Sequence, residues 1–155
     1  YTKIGLNSRL DAIQAAILRV KLRSLKKSND TRRSYAKIYN SKLKNIEDIF
    51  IPKCLFGIDS HIFHQYTLII KDQKNRDALM SFLKKNGIST MIYYPKPLHK
   101  ESPYKKFNFM RHKSSEELSK KVLSLPIHPL LSKKDVEFIG PILSFKTLKP
   151  KPKLK

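Results

Sequence analysis

The sequence contains no tryptophan, a single cysteine, four glycines, and 12 acidic residues against 33 basic ones. The lone Cys54 excludes an intramolecular disulfide framework and fits a reducing cytoplasm. It has no activating neighbour in sequence, so it reads as an inert thiol. Four scattered glycines leave no glycine-rich phosphate loop. The histidines show no metal-ligand spacing: His61 and His64 precede a strand without matching Cys or His partners, and they read as loop histidines. No apolar run approaches the ~20 residues needed to cross a bilayer. The opening at Tyr1 has neither the basic region nor the apolar block of a signal peptide. It also lacks an initiator Met, so the expected N-terminus lies upstream.

At 155 residues and 40% apolar content the chain can bury the core of one domain, with or without an appended helical arm. The formal net charge is +21. Two readings of that charge stay open: an electrostatic footprint for nucleic acid or an acidic membrane, and a lysine-rich habit spread over solvated faces. Only seven of the basic residues are arginine, whereas directed phosphate recognition favours arginine forks on one surface. In either case the field would attract a phosphorylated substrate.

Asn7 or Ser8 is a candidate N-cap, and Ser8-x-x-Asp11 a variant capping box. Leu10, Ile13, Ile17 and Val20 then recur at helical spacing, predicting a helix that reaches about Lys27. A second helix is expected from a cap at Asp30 or Thr31, burying Tyr35, Ile38, Tyr39 and Leu43. Residues 65–71 are rich in β-branched and aromatic side chains and predict a strand. A helix over 74–86 follows, buried through Leu79, Phe82 and Leu83 and closed by Gly87. A second strand is expected over 88–94, ended by Pro95 and Pro97. Beyond an ordered loop at 95–113, a short helix opens at Ser114 or Ser115. Residues 122–126 are extended, and a last helix over 133–145 turns Val136, Ile139, Ile142 and Leu143 inward, with Gly140-Pro141 as a possible kink. Residues 146–155 read as a mobile basic tail. The expected division is an arm at 1–48, a small α/β domain at 49–145 and the tail at 146–155. Composition and spacing alone end at a basic α/β domain with no catalytic set.

Five stretches carry more. Gly5-Leu6-Asn7-Ser8-Arg9-Leu10-Asp11-Ala12-Ile13-Gln14-Ala15-Ala16-Ile17-Leu18 opens the chain, followed by Arg32-Arg33-Ser34-Tyr35-Ala36-Lys37-Ile38-Tyr39. His64-Gln65-Tyr66 leads into the first predicted strand. Gly87-Ile88-Ser89-Thr90-Met91-Ile92-Tyr93-Tyr94-Pro95-Lys96-Pro97-Leu98-His99 and Leu123-Ser124-Leu125-Pro126-Ile127-His128-Pro129-Leu130 complete the set. In this order and spacing they resemble the C-terminal part of the pyridoxal-phosphate-dependent sugar aminotransferases of the DegT/DnrJ/StrS group. The resemblance implies a fold-type I C-terminal domain: an α+β unit with a long helical arm packed on a small, mostly antiparallel sheet. It further implies a cytoplasmic homodimer with sites at the subunit interface. Such an enzyme moves an amino group, from glutamate, to a keto group of a nucleotide-linked deoxysugar for surface polysaccharide synthesis.

The resemblance assigns Asn7 to the cofactor phosphate of the neighbouring subunit, against simple N-capping as the alternative. Arg9 matches the motif arginine, for a phosphate oxygen or for an ion pair with a carboxylate such as Asp11. Tyr94, His99 and Tyr104 fall where relatives build the sugar-nucleotide pocket; the alternatives are a strand-end core aromatic for Tyr94 and a satisfied loop histidine for His99. Glu101 stands where the family usually has an amide, and its charge would oppose a sugar diphosphate unless Lys100 or Lys105 neutralised it. The Schiff-base lysine and the aspartate that pairs with the pyridine nitrogen belong to the preceding large domain. No lysine here sits in a matching motif, so no catalytic residue and no metal ligand is assigned, and this chain alone is not expected to transaminate. Two other functions remain in view: a basic module binding nucleic acid or membranes, and a pyridoxal-phosphate-dependent sugar dehydratase relative.

Overall fold

The computed structural model describes residues 3–8, 10–107 and 112–144. Arg9 and the tail at 146–155 lie outside the described residues. Among these residues are five α-helices, α1 (Ala12–Leu22), α2 (Leu25–Leu43), α3 (Gln73–Lys85), α4 (Lys113–Lys121) and α5 (Lys133–Ser144), and three strands, β1 (Ile49–Phe50), β2 (Tyr66–Ile70) and β3 (Val122–Leu125). The strands form one antiparallel sheet in the order β1-β2-β3. This is the expected α+β class.

β2 is the centre of the core because its alternation puts Tyr66, Leu68 and Ile70 on one fully buried face. β3 is buried along all four residues, and Thr67 and Ser124 pair their hydroxyls across the strands at 2.8 Å. The second half of α2 supplies Tyr35, Ala36, Tyr39 and Leu43, and α5 supplies Val136, Ile139 and Leu143. Leu79 and Leu83 of α3 complete the core; fully burying a side chain of this size is worth about 1.5–3 kcal/mol. The polar ends of the core tyrosines are all used. Tyr35 donates to the Leu131 carbonyl at 2.6 Å, Tyr39 to the Pro126 carbonyl at 2.7 Å, and Tyr66 to Asn40 Oδ1 at 2.6 Å. Burial pushes the Tyr39 and Tyr66 hydroxyls well above the usual phenol range. No buried side-chain polar atom among the described residues lacks a partner. The core therefore closes within residues 35–143 of this chain.

Three expectations change. The cap of α1 is Asp11, whose side chain accepts the Gln14 N–H at 2.7 Å; Asn7 and Ser8 lie upstream of the helix, exposed. The helix break falls at Arg23 and Ser24, and α2 runs through Asp30 and Thr31. Those two residues are satisfied sideways along the helix. Asp30 pairs with Lys26 and Arg33, each at 2.9 Å, and the Thr31 hydroxyl donates to the Lys27 carbonyl.

The expected strand at 88–94 reduces to a single bridge, Met91 opposite Ser124. That register sets Ser89 against Pro126 and Tyr93 against Val122. Pro126 has no N–H to give, and the Val122 N–H is already bonded to the Leu118 carbonyl as the end of α4. Both neighbouring rungs are thus blocked. The very short β1 and the Ser132–Asp135 capping box of α5 were not expected. In that box the Ser132 N–H and hydroxyl both donate to Asp135 Oδ2, and the Asp135 N–H donates back to Ser132 Oγ.

Candidate functional site

The blocked ladder beyond Met91 releases the chain into a turn, residues 93–107, that leads toward α4. Tyr94 projects there with 60% of its surface exposed, packed edge-on against Tyr93 at 5.8 Å between ring centroids. It is a surface aromatic at the end of the bridging segment, not a core one. Two 3₁₀ turns, Leu98–Lys100 and Ser102–Phe107, fold the rest of the segment and carry His99 and half-buried Tyr104. Tyr104 is fixed through its backbone, where its N–H donates to the Glu101 carbonyl at 3.0 Å.

His99 is mostly enclosed and has a carboxylate partner: Nε2 lies 3.2 Å from Glu116 Oε1 on α4. Its ring packs on His112 at 4.7 Å between centroids. The second Glu116 oxygen accepts from Lys100 Nζ at 2.7 Å. Hydrogen bonds from Lys100 and then from His99 hold the Glu116 carboxyl below the usual glutamate range. A ring that donates from Nε2 to Glu116 presents Nδ1 as its remaining polar atom.

Glu101 is neutralised by a different lysine from the two expected. Lys96 Nζ approaches its Oε2 at 3.6 Å, whereas Lys100 is committed to Glu116. The aromatic turn therefore faces outward with Glu101 screened. Tyr94, His99 and Tyr104 are brought onto one folded segment. Asn7 is not among them: it sits on the exposed lead-in to α1, and Arg9 lies outside the described residues. The Asp11 carboxylate accepts the Gln14 N–H in the first turn of α1, so an anion near Asn7 would meet a carboxylate at that helix start. Among the described residues no group of three or more His, Cys, Asp or Glu is arranged to hold a metal ion.

Lys96 and Glu116 form the local ion pairs and His112 packs its ring on His99; no spacing in the sequence marked these roles. Glu116 lies 17 residues from His99, a separation that follows no secondary-structure period.

The sequence model of the DegT/DnrJ/EryC1/StrS aminotransferase family matches residues 1–144. The chain belongs to this family. This family member is 37% identical over 133 residues to the dTDP-3-amino-3,6-dideoxy-alpha-D-galactopyranose transaminase of Aneurinibacillus thermoaerophilus, covering 86% of this chain and 35% of the relative. It is 38% identical over 140 residues to a pleiotropic regulatory protein of Geobacillus stearothermophilus, with 88% and 37% covered. The crystal structure of S. venezuelae DesV in complex with a ketimine intermediate matches with a TM-score of 0.80 at 31% identity, over 96% of this chain and 39% of that one. The chain thus spans a little over a third of the length of the aminotransferase-family relatives it matches.

Proposed function

We propose that this chain is the small C-terminal domain, with its preceding helical arm, of a pyridoxal-phosphate-dependent aminotransferase. The enzyme transfers an amino group from glutamate to a keto group of a nucleotide-linked deoxysugar, a step in surface polysaccharide synthesis in the cytoplasm. The family match over residues 1–144 carries this reading. It is supported by a relative named as a dTDP-amino-sugar transaminase and by the exposed aromatic turn at 93–107, which suits a ligand with a flat ring and a diphosphate.

The residues present fit the rim of a pyridoxal phosphate site rather than its anchor. Asn7 offers an exposed amide and Arg9 a guanidinium, both suited to a phosphate. The anchoring lysine and the aspartate facing the pyridine nitrogen would come from the remainder of the protein, so this chain alone does not transaminate. When bound, the cofactor supplies an electron sink. This chain's own residues bind and orient the sugar nucleotide. Tyr94 offers a stacking face, His99 a ring held in place by Glu116, and Tyr104 a hydroxyl.

In a homodimer the start of the arm at 1–48, with Asn7, reaches the neighbouring subunit. Ile13 and Ile17 of α1 are 74% and 52% exposed, an apolar stripe that the remainder of the enzyme would cover. Only the second half of α2 belongs to the core.

Substituting Tyr94→Ala in the whole protein tests the site. Loss of one stacking face, worth about 1–3 kcal/mol, should raise KM for the nucleotide sugar about tenfold with kcat little changed, the pattern of lost uniform binding. An unchanged KM in both Tyr94→Ala and His99→Gln would count against this placement.

A further inference from the structure

Four of the quoted sequence stretches meet at a cavity outside the aromatic turn's proposed contacts. The antiparallel register pairs Tyr66 with Leu125. That pairing sets His64-Gln65, just before β2, beside the Pro126-Ile127-His128 exit from β3. Arg32 of α2 closes one side, and Ser89, Met91 and Tyr93 of the bridging segment close another. The cavity measures about 240 Å³. This is smaller than the roughly 300–1,000 Å³ of clefts that hold a whole drug-sized ligand, so it suits an end group.

Its chemistry has one sign. A guanidinium, two imidazoles, a primary amide and a hydroxyl line it, from Arg32, His64, His128, Gln65 and Ser89, and among the described residues no carboxylate does. Among the described residues the Arg32 side chain donates to a neutral partner, Asn29 Oδ1, at 3.4 Å. The His128 carbonyl accepts the Leu131 N–H at 3.2 Å, and the imidazoles of His64 and His128 face the cavity. Asp135 lines an adjoining cleft that shares His128, and there its Oδ2 accepts from the Ser132 N–H and hydroxyl. Most other acids of this acid-poor chain are likewise committed, as helix caps at Asp11 and Asp72 or in ion pairs at Asp30, Asp48, Asp77 and Glu116. A half-buried arginine without a carboxylate partner, flanked by two imidazoles, is an arrangement that an oxyanion completes.

We propose that this cavity binds a small oxyanion, a carboxylate or a phosphate group, with Arg32 as the charged anchor and His64 and His128 as flanking donors. Such a group reaches the site either as part of a phosphorylated ligand or as one end of a dicarboxylate. The inference needs no cofactor and no other part of the enzyme, so it stands or falls separately from the aminotransferase reading.

The test is a pair of NMR titrations of the 155-residue chain at fixed ionic strength, one with inorganic phosphate and one with glutarate. Either ligand should shift the His64 and His128 ring signals and the Ser89 amide along one saturating curve. Arg32→Gln should weaken binding about tenfold or more, and His128→Gln should weaken it by a smaller factor. Arg23→Gln, a distant surface change, should leave it unaltered. Tighter phosphate binding assigns the site to a phosphorylated ligand; tighter glutarate binding assigns it to a dicarboxylate. Shifts that spread over the lysine-rich surface without saturating would overturn the proposal, as would an affinity unchanged in both Arg32→Gln and His128→Gln.

Discussion

Glu116 shows how much one side chain organises here. It joins α4 to the 3₁₀ turn through Lys100 at 2.7 Å and His99 at 3.2 Å, and it orients the only polar edge His99 presents to a ligand. Its carboxyl is held below the ordinary value near 4.5, so its stabilising contribution is fully present above that value and is lost as pH falls through the depressed one. Glu116→Gln should therefore lower Tm at pH 7, and the gap from the unsubstituted protein should narrow as pH falls below the ordinary glutamate value. Thermal melts across the acidic range read this directly; a gap that did not narrow toward low pH would mean the contribution is packing, not charge. Nothing at the residue level announced this pairing, because His99 and Glu116 meet only through the fold of the intervening turn. Tyr94 and His99 were legible as candidates from their motif, whereas their supports were not.

At the scale of elements, the hydrophobic periods were sound guides and the punctuation was less so. β2, α3 and α5 appear where alternation and helical spacing put them, since Leu68, Leu79, Leu83 and Val136 each find the core. Boundaries moved where several polar residues could serve as cap: Asp11 took the role in place of Asn7 or Ser8. The missing strand at 88–94 depended on its partner's free N–H groups, which a single segment's sequence does not display. The packing of α2 on α5 has its own test at Gly140. A Cβ there would stand 2.8 Å from Lys42 Cγ and 2.9 Å from Lys42 Cβ. Overpacking of this kind costs about 1–3 kcal/mol, against a gain of about 1 kcal/mol from replacing glycine in a helix. Gly140→Ala should lower Tm by a few degrees; a raised Tm would show that Lys42 moves aside freely.

Across the whole molecule, burial is uneven. α1 has no buried residue, whereas Ala36, Tyr39 and Leu43 of α2 are completely enclosed. Hydrogen exchange in the isolated chain should therefore be fast throughout residues 12–22 and slower by orders of magnitude at 36–43. Equal protection in the two stretches would mean that α1 is already covered, by a second copy for instance. The same unevenness suits a domain whose arm is completed by other parts of a larger enzyme. The most direct measurement is the visible absorption of the whole protein that contains this chain. On the present account it carries pyridoxal absorbance that glutamate abolishes and a nucleotide-linked keto-deoxysugar restores. A protein with no such absorbance, or one that glutamate leaves unchanged, would contradict the account.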